Sequence, residues 1–236
     1  ATYNEKDNIE PLIRSINFHN PEVDILIIDD NSPDLTFEKV KELKKEYKNI
    51  YLKVRNLKSG LDTAHKEAYE YALKNEYDYL ITMDADLSHD PKELKENLRL
   101  FKENNCDLLI ASRYLKKSKI VNWSILRKIF SFLANSLARF LLKIPISDYT
   151  NGYRIYSKNA VRHIRKNCGN IGDGFIILSE ILVELYYNNF QIRETSSKFI
   201  NRSRGESSVN LNEIVNSFIG LIKIYKLKNK IKQKSN

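Results

Sequence analysis

The sequence predicts one α/β domain, built on a mostly parallel sheet with helices on both faces, and a C-terminal appendage. Short apolar runs typical of buried strands alternate with segments in which apolar residues recur at helical spacing. Two of these runs end in acidic loops, Asp29-Asp30 and Asp84-Ala85-Asp86. Parallel strands share one carboxyl edge, where ligands bind, so we expect both loops to open on the same rim.

The same patterns place the elements in order. The predicted strands are Val23–Ile28, Tyr51–Val54, the run from Leu80, Asp107–Ser112 and Lys198–Ile200. The predicted helices are Glu5–Phe18, Thr36–Tyr47, Thr63–Asn75, Lys92–Glu103, Ser124–Lys143, Ile176–Asn188 and the segment from Leu211. We expect residues 1–208 to form the α/β domain, with a first strand upstream of Ala1, and 209–236 to form a basic amphipathic helix.

The amino-acid composition indicates which kinds of molecule the protein binds. The 236 residues carry a net charge of +9, which indicates a polyanionic partner: a nucleic acid, a nucleotide donor or an anionic membrane surface. Basic residues are mostly scattered, so a nucleic-acid-binding module is the weaker interpretation. The two cysteines, Cys106 and Cys168, make no disulfide framework and are expected to pack in a reducing compartment.

The segment Leu80–Pro91 is the strongest candidate site. Side chains on extended backbone point the same way at every second residue, so Asp84 and Asp86 can aim two carboxylates at one point. Such oxygens suit Mg²⁺ or Mn²⁺ carrying a substrate's phosphates. The alternative is that Asp86, Ser88 or Asp90 caps the following helix.

The first acidic loop has two interpretations as well. Asp29 and Asp30 fit hydrogen bonding to a nucleotide's base or ribose, with Tyr3 and Glu5 flanking the same pocket. They also fit ordinary turn and cap roles. Farther along, Arg202 precedes a glycine and fits a diphosphate clamp, or an exposed basic loop.

The helix predicted over Ser124–Lys143 has an apolar arc wider than a surface helix needs. It is either a buried or dimer-interface helix, or a helix lying in a membrane interface with Arg127 and Ser131 facing the site. The lysine-rich end of the last helix also favours a membrane surface.

Several motifs occur together in order. They are Tyr3-Asn4-Glu5, Asp29-Asp30-Asn31-Ser32-Pro33-Asp34-x-Thr36, Gly60-Leu61-x-Thr63-Ala64-His65, Met83-Asp84-Ala85-Asp86-Leu87-Ser88-His89-x-Pro91, Ser112-Arg113-Tyr114 and Arg202-x-x-Gly205-Glu206-Ser207. With them the chain resembles the dolichol-phosphate mannose synthases and related polyprenyl-phosphate glycosyltransferases of glycosyltransferase family 2, which have the GT-A fold. The resemblance runs from Ala1 to about Ser208.

The resemblance implies inverting transfer of mannose from GDP-mannose to dolichyl or another polyprenyl phosphate, with Mg²⁺ or Mn²⁺. The implied nucleoside contacts are Tyr3, Glu5, Asp29 and Asp30, and Arg202 matches a diphosphate contact. Asp84 would contact the donor and metal, Asp86 would be the principal metal ligand, and Ser88 stands where some members use a Gln ligand. The implied acceptor-phosphate contacts are Arg113, Arg127 and Ser131.

Trp123 and the helix after it, within residues 115–145, match the family's membrane-interface element. The resemblance therefore implies a peripheral protein on the cytoplasmic face of a membrane, endoplasmic reticulum in a eukaryote or plasma membrane in a prokaryote, with a membrane partner subunit as a further possibility.

Asp62 replaces a common glycine and Ser208 a common lysine, which leaves UDP-glucose or another UDP-sugar as an alternative donor. A non-catalytic membrane- or nucleic-acid-binding relative is the alternative from another class.

Overall fold

The computed structural model describes residues 1–169, 171, 176–201 and 211–235, with side chains of the last helix described over 219–233. Over these residues the helices are α1 (Lys6–His19), α2 (Thr36–Glu46), α3 (Leu61–Lys74), α4 (Leu94–Glu103), α5 (Ile125–Leu142), α6 (Lys158–Asn167), α7 (Ile176–Tyr187) and α8 (Leu211–Ser235), with a 3₁₀ turn at Pro91–Glu93. The strands are β1 (Ile25–Asp29), β2 (Ile50–Val54), β3 (Tyr79–Thr82), β4 (Leu108–Ser112), β5 (Lys119–Val121), β6 (Arg154–Ser157), β7 (Ile192–Ser196) and β8 (Lys198–Ile200).

The predicted α/β class is confirmed: three of the five strand pairs among the described residues are parallel, and both antiparallel pairs lie in a mixed central sheet. Its strand order is β3-β6-β4-β7; β6 runs antiparallel to both neighbours, and β4 pairs with β7 in parallel. The chain enters β6 beside the end of β4, where the Ala111 N–H donates to the carbonyl of Tyr153, the residue before β6. Strand β6 therefore runs back along β4 in the opposite direction. Two parallel pairs, β1–β2 and β5–β8, complete the ladders of the described residues.

The largest core lies between the central sheet and α7, which is buried from Ile177 to Leu185. Helix α8 packs on α7 and also contacts α5, where Lys228 Nζ donates to the Leu141 carbonyl at 2.8 Å. Both cysteines are buried, and burial raises the pKa of each thiol. This agrees with the expectation that they pack.

A cavity of about 430 Å³ separates β1 from β3. Thr2 borders it and forms a parallel bridge with Asp29, its N–H donating to the Ile28 carbonyl at 2.9 Å. Asp84 and Gly152 line the cavity as well. The cleft therefore reaches the rim where the two acidic loops lie. The upstream strand and the domain division at 208 stay predictions.

Candidate active site

Both acidic loops open on one rim, as predicted. Thr2 forms a bridge with Asp29, and its carbonyl accepts the Asp30 N–H at 3.1 Å. Thr2 and Asp84 line the same cleft. The residues beside the first acidic loop and the start of the second acidic loop therefore border one cleft.

The loop after β3 leaves two carboxylates half-exposed. The Asp84 side chain is 34% exposed, and Asp86 Oδ1 accepts the Ser88 N–H at 3.0 Å. Leu87 has a φ of 63°, in the left-handed region, which tightens this turn. The Asp86–Ser88 bond is the turn contact of the capping interpretation, and Asp90 is the residue that caps the 3₁₀ turn, accepting from the Lys92 N–H.

The donor set of this loop fits a hard divalent cation. Ser88 Oγ is buried and has no hydrogen-bond partner among the described residues, which is costly for a hydroxyl unless a ligand satisfies it. The Asp84 carboxylate lies against Gly152, where an added Cβ would sit 3.0 Å from Oδ1. Asp84, Asp86 and Ser88 are the residues of this loop that would hold the metal, and their role as ligands stays a prediction.

Asp29 serves the fold. Its buried carboxylate accepts from Thr2 Oγ1 at 2.7 Å and from the backbone N–H and hydroxyl of Ser32 at 2.8 and 2.7 Å. The structure thus shows the turn role that the sequence left as the alternative. Its direct contact with a nucleoside stays a prediction.

Asp30 has a partner that the sequence did not reveal. It forms a buried ion pair with Arg55 and accepts the Ser59 N–H at 3.2 Å. Arg55 also bonds the Gly60 carbonyl and the Thr63 hydroxyl. Arg55 therefore fastens the first acidic loop to the start of α3. The sequence marks Arg55 only as a single arginine directly after the predicted strand Tyr51–Val54.

Tyr3 and Glu5 lie beside the first acidic loop, and their contact with a nucleoside stays a prediction. The Tyr3 ring is 37% exposed, with Lys58 Nζ 4.0 Å from its centroid. Glu5 accepts from Asn8 Nδ2 at 2.7 Å, and its N–H donates to Thr36 Oγ1. Both residues border the first acidic loop, which is the placement that the sequence predicts.

Arg113 follows β4 and is held by an acidic partner. Its Nε and Nη2 donate to the two carboxylate oxygens of Asp148 at 2.8 and 2.7 Å, and Nη2 also reaches Thr150 Oγ1. Burial alone would lower the pKa of Arg113, but Asp148 and, more weakly, Asp84 outweigh it and raise that pKa. Arg113 thus lies in the electrostatic field of the second acidic loop.

Arg127 and Ser131 face the same side of the molecule from α5. Arg127 Nη1 donates to Asn201 Oδ1 at 2.9 Å, and its guanidinium lies 4.2 Å from the Trp123 ring centroid. The hydroxyls of Ser131 and Tyr114 are 2.5 Å apart. Trp123 is buried rather than exposed, so it supports Arg127 instead of reaching outward. Arg202 and Ser208 lie outside the described residues.

Helix α5 turns its apolar arc outward. Within it only Asn135, Ala138 and Leu142 are buried. The exposed apolar residues are Ile125, Leu126, Ile129, Phe130, Phe132, Leu133, Leu137 and Phe140. The buried-helix interpretation is therefore wrong. None of the described helices has the length and apolar character that crossing a bilayer requires.

His89 and Asn151 complete the site and were not predicted as functional. His89 Nδ1 accepts the Asp84 N–H at 3.1 Å, and Nε2 lies 2.9 Å from Asn151 Oδ1. His89 was visible in the motif around Asp84. Nothing in the sequence, however, shows that it contacts a loop 62 positions away.

A family profile described as "Glycosyl transferase family 2" matches residues 1–165, and the chain belongs to this family and is a glycosyltransferase. Polyprenol monophosphomannose synthase from Mycolicibacterium smegmatis is 32% identical over 209 residues, 88% of this chain and 78% of that protein. Undecaprenyl-phosphate mannosyltransferase from Micrococcus luteus is 31% identical over 209 residues, 88% of this chain and 84% of that protein. These relatives confirm the predicted family and enzyme class.

Solved structures confirm the fold. The crystal structure of glucosyl-3-phosphoglycerate synthase from Mycobacterium tuberculosis with Mn²⁺, UDP-glucose and phosphoglyceric acid superposes with a TM-score of 0.65. It is 14% identical and covers 95% of this chain and 77% of that chain. The complex of the same enzyme with UDP gives a TM-score of 0.64 at 15% identity, with coverage of 95% and 78%.

Proposed function

We propose that this chain transfers mannose from GDP-mannose to the phosphate of a polyprenol, such as dolichyl phosphate, with inversion at the anomeric carbon. The observation that carries this is an acidic loop and two arginines beside a helix with an exposed apolar face. The loop suits a nucleoside diphosphate with its metal, and the helix suits an acceptor whose phosphate ends a lipid. Two relatives above 30% identity have names that specify mannose and a polyprenyl acceptor.

The proposed transfer does not depend on general base catalysis. A phosphate monoester is already anionic near pH 7, so the acceptor needs no general base to attack the sugar. The protein must instead hold two anionic groups in line. Arg127 and Ser131 would hold the acceptor phosphate, and Arg113, whose charge is paired with Asp148, would offer it hydrogen-bond donors.

Asp84, Asp86 and Ser88 would hold Mg²⁺ or Mn²⁺ at the donor side. When bound, the cation neutralises the negative charge that develops on the leaving diphosphate. A solved structure with the same fold, though only 14% identical, contains Mn²⁺ with UDP-glucose. Tyr3, Glu5, Asp29 and Asp30 would surround the nucleoside, the last two by shaping the pocket.

We place the protein at a membrane surface, on the cytoplasmic face. The bare apolar side of α5 and the lysines of α8 suit an anionic bilayer. In a eukaryote this would be the endoplasmic reticulum, and in a prokaryote the plasma membrane. A membrane partner subunit belongs to the same proposal.

Transfer of radiolabel from GDP-mannose to dolichyl phosphate in liposomes tests the proposal, with UDP-glucose run alongside and EDTA replacing the metal. We expect lipid-extractable label from GDP-mannose only, and none with EDTA. Asp86→Asn should lower the rate about 10²-fold or more, as expected when a group that stabilises transition-state charge is lost. Asp90→Asn is the matched control, because asparagine caps a turn as well as aspartate. Label from UDP-glucose alone, or an unimpaired Asp86→Asn enzyme, would contradict the proposal.

A further inference from the structure

His89 is locked in place by its surroundings. Its side chain is fully buried, it stacks on Tyr153 at 5.1 Å with an interplanar angle of 27°, and its edge meets Phe199 at 5.5 Å. Its backbone also forms an antiparallel bridge with Phe199. The ring therefore has one orientation, fixed by packing on two sides.

The two ring nitrogens have different partners. The Asp84 backbone N–H donates to Nδ1, so Nδ1 is an acceptor and the ring proton lies on Nε2. That proton is directed to Asn151 Oδ1 at 2.9 Å, and Asp84 Oδ2 lies 3.8 Å from the same nitrogen. The neutral ring thus ties the backbone of the second acidic loop to a different loop of the chain.

Asn151 extends the connection to the arginine side. Its backbone N–H donates to Asp148 Oδ1 at 3.1 Å, and the same carboxylate binds Arg113. Asn151 is buried, and its amide N–H₂ donates to the Ala111 carbonyl at the end of β4. A continuous series of bonds therefore runs from Asp84 through His89, Asn151 and Asp148 to Arg113.

We propose that His89 is a positioning residue: it accepts the Asp84 N–H and, anchored on Asn151, sets the direction in which the Asp84 carboxylate meets the donor's metal. This rests on the proposed function for the identity of the metal site. The acceptor on Nδ1 holds the Asp84 backbone by a hydrogen bond, whereas Nε2 fixes the ring through Asn151 and lies 3.8 Å from Asp84 Oδ2, beyond hydrogen-bond distance. Residues that orient a ligand in this way typically change metal affinity 10–100-fold when mutated.

Two substitutions separate the two nitrogens. His89→Asn keeps an oxygen where Nδ1 lies and removes the Nε2 side, whereas His89→Gln places a donor near Asn151 and removes the acceptor for Asp84. Binding of Mn²⁺ is measured by the electron paramagnetic resonance of free Mn²⁺, with GDP and separately with UDP. We expect His89→Gln to weaken Mn²⁺ about tenfold and His89→Asn to lie closer to the wild type. His19→Gln, on α1, is the control and should bind as the wild type does.

Turnover gives a second readout. Excess Mn²⁺ should restore much of the transfer rate of His89→Gln, which a general loss of structure would not allow. If His89→Gln does not fold, Asn151→Ser removes the Nε2 anchor instead and should weaken Mn²⁺ several-fold. Equal affinities in both histidine variants, an unchanged Asn151→Ser, or no rescue by Mn²⁺ would overturn the proposal. If Mn²⁺ binding divides as expected but the wild type itself transfers no mannose, rescue cannot be measured, the proposed function fails and the role of His89 stands on the binding data.

Discussion

Arg113 and Asp148 form a buried, two-point ion pair in which both carboxylate oxygens accept from one guanidinium. Asp148 also accepts the backbone N–H groups of Arg113, Thr150 and Asn151. Burial alone would raise the pKa of Asp148, but Arg113 and these bonds outweigh it and lower that pKa. The pair thus organises the loop that leads into β6.

Asp148→Asn should destabilise the protein by about 3–5 kcal/mol, because it leaves the Arg113 charge buried without its partner. The contribution of a lowered carboxyl pKa is present above the ordinary value of about 3.9 and is lost as the pH falls through the folded-state pKa. The difference in unfolding free energy between wild type and variant, measured with denaturant, should therefore shrink in acid. Asp7→Asn on α1 is the exposed control, and an equal loss there would contradict the role of the pair.

His65 should make the stability depend on pH. Burial lowers its pKa to about 3, and its Nδ1 lies 3.0 Å from the Tyr69 hydroxyl. Between the unfolded value of about 6.5 and this folded value the unfolded chain binds one more proton, so stability decreases by about 1.4 kcal/mol for each unit by which the pH is lowered. His65→Gln should remove that slope in denaturant unfolding measured from pH 7 to pH 4. Parallel pH profiles for the two proteins would refute it.

Gly152→Ala should disturb the metal site through one contact. The new Cβ would sit 3.0 Å from Asp84 Oδ1, so the carboxylate must move by a few tenths of an ångström. We expect the transfer rate to fall about tenfold, since small misplacements at a reacting centre are costly. A double-mutant cycle with Asp84→Asn checks the cause: the alanine should have little further effect once the carboxylate is gone. Additive losses would show that Gly152 acts elsewhere.

The exposed face of α5 should bind membranes. Phe130 and Phe140 are 69% and 76% exposed, and each ring that inserts contributes about 1.5–3 kcal/mol. Phe130→Glu with Phe140→Glu should reduce flotation with anionic liposomes by about hundredfold or more. Phe18→Glu is the control, because Phe18 is 81% exposed but lies on α1. Equal loss in the control, or none in the double variant, would return α5 to the dimer-interface interpretation.

Strand and helix periodicity predicted β1 to β4, β8 and all the helices except α6, but it missed α6, β5 and β7. The order of strands and loops along the chain correctly predicted that both acidic loops lie on one rim. Local pattern could not show that β6 runs antiparallel, because direction depends on where the loop before Tyr153 enters the sheet. It also could not show which face of α5 is buried. A helix with so wide an apolar arc can lie in the protein interior or present that arc on the surface. The structure settles the question, because Asn135 and Ala138 pack inward and the arc is exposed.

At the site, residue types and spacing predicted the metal loop but not which charges are already paired. Asp30 binds Arg55, and Arg113 binds Asp148, 35 positions away, because tertiary structure brings these partners together. Asn151 lies in the polar segment that leads into β6, outside every motif of the sequence analysis. Its importance lies in its bond to His89, which no spacing rule reveals.

Helix α5 is fastened on its polar side, through Ser131 to Tyr114 and Asn135 to Tyr149, and open on the other. A protein seated by that open side would meet its lipid substrate by lateral diffusion in two dimensions. The quantity that sets the rate would then be the mole fraction of polyprenyl phosphate in the bilayer, not its amount per volume of buffer. Diluting the acceptor with inert phospholipid would slow the enzyme even though nothing in the surrounding solution had changed.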